Sequence, residues 1–108
     1  MASQTLNEHL EAARYWRAHL SFFPNDKGAH LGLARNVGRT GDDDAARAIL
    51  TQAVRQFPDW IDGRIELGIA LYRLGQEKEA RALWVSILEQ NPTHPEVKQL
   101  IEDFSGIE

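Results

Sequence analysis

Pro24, Pro58 and Pro92 stand 34 residues apart, and the residues around them repeat with the same period. Ala12, Ala46 and Ala80 keep this register, Leu33 pairs with Leu67, and Gly41 pairs with Gly75. A fixed period of this size is the signature of stacked supersecondary units. Each is too small to bury its own apolar face, and stacking builds a continuous core. The period constrains the fold before any local motif is considered, and it makes an enzyme an unlikely product of this chain.

Apolar residues at Leu6, Leu10, Ala13, Trp16 and Leu20 fall in steps of three and four, one stripe on a helix spanning about 5–22. Pro24 cannot continue it, and Asn25 and Asp26 are good caps for a second helix over about 27–39. Gly41 supplies the backbone freedom for a tight turn, and Asp42, Asp43 and Asp44 cap a third helix ending near Gln56. Phe57-Pro58-Asp59 is read as the next stop and cap. The pattern then recurs, with a helix over about 61–74, Gly75, a helix over about 77–89 and the stop Asn91-Pro92. Thr93-His94-Pro95-Glu96 has the spacing of a capping box before a last helix over about 95–104, and 105–108 are expected to fray.

Leu33-Ala34, Val37, Gly41, Ala46, Leu50, Ala53 and Pro58 together resemble one tetratricopeptide repeat. Leu67-Gly68, Leu71, Gly75, Ala80, Trp84, Ile87 and Pro92 resemble a second, and the stretch from Glu11 to Pro24 is similar to the second helix of a third. The resemblance implies an all-α fold, a right-handed superhelical stack of antiparallel helix pairs with about six helices. It divides the single domain into an unpaired second helix (5–23), two repeats (27–60 and 61–94) and a capping helix (95–105). Two departures stand out: His30 and Arg64 occupy positions where the family usually places Trp. Gly28, Gly32 and Gly38 also weaken the first helix of the first repeat, each by up to about 1 kcal/mol against Ala.

Function follows from the resemblance in class: a scaffold for protein–protein interaction, binding a peptide or partner segment in a concave groove without catalysis. Its lining is expected from Leu31, Arg35 and Arg39, and from Asp62, Ile65, Glu66, Ile69, Tyr72 and Arg73, with Gln99 and Asp103 extending it. Ile65, Ile69 and Tyr72 read as an apolar stripe opposite the Leu67–Leu71 side, and Gly28 and Gly32 as a low wall admitting a ligand backbone. Where some family members clamp a C-terminal carboxylate, this chain has Leu31, Arg35 and Glu66, which argues against that clamp. A second function class is structural assembly, with Leu6, Leu10, Ala13 and Trp16 on the unpaired first helix mediating self-association, for example as a homodimer. Trp16, Leu20 and Phe23 are otherwise expected to pack toward the first full repeat.

Other chemistry finds little footing. A net charge of −4 disfavours nucleic acid and anionic membranes, which reward a basic surface. The absence of Cys removes thiol nucleophiles and zinc–thiolate sites. His9, His19, His30 and His94 lack a ligand spacing, so neither a metal nor another cofactor is expected. The Asp42–Asp44 run lacks the alternating ligands of a calcium loop, and there is no nucleophile elbow or phosphate-binding loop. No apolar run approaches the length of a membrane span. The chain therefore reads as soluble and compatible with the cytoplasm, whether whole or part of a larger protein.

Overall fold

The computed structural model describes residues 2–105. It contains six helices: α1 (Ala2–Phe22), α2 (Lys27–Arg39), α3 (Asp43–Gln56), α4 (Ile61–Arg73), α5 (Glu77–Gln90) and α6 (Pro95–Ser105). No strand occurs among the described residues. The helix α1 starts at Ala2 rather than near Thr5. The fraying expected of 106–108 lies outside the described residues.

The turns follow from local chemistry. Asp26 accepts from the Ala29 amide at 3.2 Å and Asp42 from the Ala45 amide at 2.9 Å, satisfying amides that a helix start leaves unpaired. Gly41 and Gly75 end their turns at φ 95° and 83°, a region costly for any residue with a Cβ. Two starts differ from expectation. Trp60, not Asp59, occupies the cap position of α4, without a side-chain hydrogen bond. At α6 the helix begins on Pro95, so the cap falls on His94, whose Nδ1 accepts from the Val97 amide at 3.3 Å. The expected Thr93–Glu96 box is one residue out of register with that start.

Each helix packs on its neighbours in the chain, and α2 also touches α4. This is the arrangement short loops impose on stacked antiparallel helices. Small residues permit the close crossings: Ala34, Ala46 and Ala80 are buried, and a Cβ added at Gly68 would lie only 2.2 Å from Trp84 Nε1. Three apolar clusters make the core. Ala13, Leu33 and Val37 pack with Trp16 and Leu20, joining α1 to α2. Ala34, Leu50 and Ala70 join α2, α3 and α4. Ile65, Ala80, Trp84, Ile87 and Val97 join α4, α5 and α6. Trp84 therefore fills the crossing inside its own pair as well as the seam to α6. No helix among the described residues is long and apolar enough to cross a membrane.

Candidate functional site

The α2–α4 contact opens on one side into a cleft of about 350 Å³. Ala34, Ala46, Leu50 and Ala70 form its floor, and Arg35, Gly38 and Arg39 of α2 face Glu66, Ile69 and Arg73 of α4 across it, with Asp43 of α3 at one end. The floor is apolar because three alanines and Leu50 form the helix crossing there, each no more than 5% exposed. The rim is charged because it lies where the two first-type helices reach solvent. Arg39 and Arg73 are one period apart in sequence, and both line the cleft.

The rim charges are unequally matched. Arg35 Nη2 donates to Glu66 Oε1 at 2.8 Å across the cleft, tying α2 to α4. Arg39 and Arg73 form no ion pair among the described residues. Asp43, in the first turn of α3, is the other acid on the lining and is also unpaired there. Gly38 keeps this part of the rim low: a Cβ built on it would meet Ala46 Cβ at 3.7 Å, and Arg73 Nη1 and Asp43 Oδ1 each at 3.9 Å.

Of the groove residues expected from sequence, Arg35, Arg39, Glu66, Ile69 and Arg73 line this cleft, and Leu31, Asp62, Ile65 and Tyr72 do not. Ile65 overturns its assignment outright. It is 2% exposed and sits at the centre of the α4–α5–α6 cluster, so it offers nothing to a ligand. Tyr72 leans on the same cluster, its ring stacked 6.5 Å from that of Trp84. Of the expected apolar stripe, Ile65 and Tyr72 therefore belong to the seam with α5 and α6, and Ile69 touches both that seam and the cleft. Leu31 packs on the Ala34–Leu50–Ala70 cluster, and Asp62 stands exposed in the first turn of α4. Gly32 is no open wall either, because the Trp16 indole covers it, at 2.6 Å from an added Cβ. Gln99 and Asp103 hydrogen-bond each other on α6, away from the cleft.

A model of the tetratricopeptide repeat family matches residues 39–103, more than half of the chain. The chain belongs to the tetratricopeptide repeat family. Comparison with curated proteins gives no match. The repeat register explains what happens at the two departures. At the second, Arg64 stands where the family's Trp would, and its Nη2 donates to Gln90 Oε1 at 2.8 Å across the helix pair. At the first, His30 donates from Nε2 to the Pro24 carbonyl at 2.8 Å and meets the Phe57 ring edge-on. Both polar side chains join the two ends of a repeat, where a Trp would do so by bulk.

The tetratricopeptide register also locates the residues proposed for self-association. Ala13 is 2% exposed and committed to the α1–α2 seam, whereas Trp16 covers Gly32 with part of its ring and is half-buried. Leu6 and Leu10 remain 41% and 47% exposed. Sequence reasoning missed a second surface at the α1–α2 turn, where Phe22 and Phe23 border a hollow with His19, Pro24, Asn25 and Asp26. Phe23 is 60% exposed, against the expectation that it packs inward. Its counterpart one period on, Phe57, meets His30, Trp60 and Lys27, whereas the ring against Phe23 is His19 of its own helix, at 5.0 Å. The same turn holds a polar clasp: the His19 Nε2–H donates to Asp26 Oδ2 at 2.8 Å. That bond first, and the Ala29 amide second, hold the Asp26 carboxyl below the usual aspartate range.

Proposed function

We propose that this tetratricopeptide domain is a non-catalytic scaffold that binds a segment of a partner protein in the α2–α4 cleft. The observation that carries this reading is a concavity with an apolar floor and a charged rim, lined by five of the nine residues expected together from sequence. That combination suits a peptide, since a floor of small side chains accepts an apolar residue while the rim fixes the chain around it. In this reading α2–α3 and α4–α5 are the two complete repeats and α6 is the cap.

The test is an unbiased selection of displayed peptides, followed by mapping of the selected peptide on the labelled protein by NMR. Amide shifts clustered on Arg35, Gly38, Ile69 and Arg73 support the reading. Shifts confined to α1 or to the α1–α2 turn refute it.

A further inference from the structure

Resting on that reading, we infer that the α2–α4 cleft selects an acidic segment, with ligand carboxylates on Arg39 and Arg73 and a small apolar side chain on the floor. Three arginines line the cleft against two carboxylates, on a chain whose overall charge is −4, so this is a positive spot on a negative molecule. Glu66 already holds Arg35. The charge left for a ligand is therefore that of Arg39 and Arg73, both exposed.

Both arginines stand in the last turns of their helices, where positive charge complements the helix dipole. That effect asks only for a cation near each helix end. It does not account for the two arginines lining one cleft, with Gly38 on the same lining where a side chain would narrow the approach to Arg73. Asp43 is the counter-charge nearest them, its Oδ1 and Arg73 Nη1 each 3.9 Å from a Cβ built on Gly38, but it forms no ion pair with either arginine, and the lining keeps one positive charge in excess. A guanidinium presents a planar fork of donors suited to a carboxylate, and bonds of this kind are about twice as strong as those between neutral groups. The four apolar floor residues argue against a ligand that is charge alone.

The experiment uses two synthetic peptides of one length, one with Glu and Asp interspersed with Ala and Leu, the other with Gln and Asn in their place. Binding is read by calorimetry against the full chain and against Arg39→Glu and Arg73→Glu, each checked for helix content by circular dichroism. The acidic peptide is expected to bind, to weaken with added salt and to lose about tenfold or more with either reversal, the worth of one charge-assisted bond. A peptide with Lys in place of Glu should regain binding to the double reversal. Equal binding of the neutral peptide, unmoved by the reversals, would overturn the acidic preference and leave the groove reading standing. Binding of a single-stranded oligonucleotide in preference to the acidic peptide would overturn the ligand class. If neither peptide binds while selected peptides map elsewhere, both readings fall.

Discussion

Gly68→Ala is the sharpest test of how the second repeat is held together. A methyl at this position would lie 2.2 Å from Nε1, 2.7 Å from Cε2 and 2.9 Å from Cδ1 of Trp84. Ordinary contacts need about 3.5 Å, so the indole must move by about 1 Å. It has little room to do so. Trp84 is 1% exposed, is enclosed by Ile65, Ala80, Ile87 and Val97, and donates to the Ile65 carbonyl at 3.3 Å. Overpacking of this kind costs about 1–3 kcal/mol, and losing the buried bond about 1 kcal/mol more. The better helix propensity of Ala offsets about 1 kcal/mol. The net expectation is a loss of about 1–3 kcal/mol, each kcal/mol lowering the melting temperature by about 4–8 °C in a domain of this size. Gly38→Ala is the matched control: its methyl meets nothing closer than 3.7 Å, so it should gain up to about 1 kcal/mol. Urea unfolding followed by circular dichroism reads both. Adding Trp84→Phe to Gly68→Ala should recover part of the loss as a coupling between the two sites. A neutral or stabilising Gly68→Ala at unchanged denaturant slope would refute the close-crossing account.

Three further outcomes follow from the same geometry. Asp26 carries a depressed pKa in the folded chain, so its contribution is present at neutral pH and is lost as the pH falls through that lowered value. Asp26→Asn should flatten the loss of stability measured by urea unfolding across the acidic range, and identical pH profiles would contradict the His19 clasp. His94→Asp should strengthen the start of α6 by about 0.5–1 kcal/mol, since a carboxylate caps a helix better than an imidazole, and slower amide exchange at Val97 and Lys98 checks it. Phe22 is 79% exposed, so Phe22→Ser should change stability by less than about 0.5 kcal/mol, and a larger thermal shift would show that the turn packs against more than the chain itself.

The period made the helices legible, because prolines and glycines fix the turns by backbone chemistry that needs no tertiary context. The cores were legible where small residues repeat: Ala46, Ala80 and Gly68 mark crossings whatever surrounds them. The groove was legible only in its charged half. Arg35, Arg39 and Arg73 cannot be buried unpaired, so a helical face carrying them must reach solvent. Ile65 and Tyr72 were assigned outward because a helix flanked on two sides shows two apolar faces, and a single stripe reading cannot say which one meets the following pair. The arrangement of α5 and α6 decides it, and that is a property of the stack. Phe23 failed for the complementary reason: the register equates it with Phe57, yet Phe57 is covered by residues of the neighbouring helices and Phe23 by His19 of its own. The spacing of Arg39 and Arg73, one full period, is the signal that marks the cleft most directly.

The most direct test of the central claim is NMR titration of the labelled chain with the acidic peptide, in wild type and in the Arg39→Glu, Arg73→Glu double variant. Saturable shifts at Gly38, Ile69 and Arg73, absent in the variant while its spectrum stays folded, are the result expected of a scaffold that reads acidic segments in the α2–α4 cleft. Shifts that persist in the variant, or that gather at Phe22 and Phe23, would contradict it.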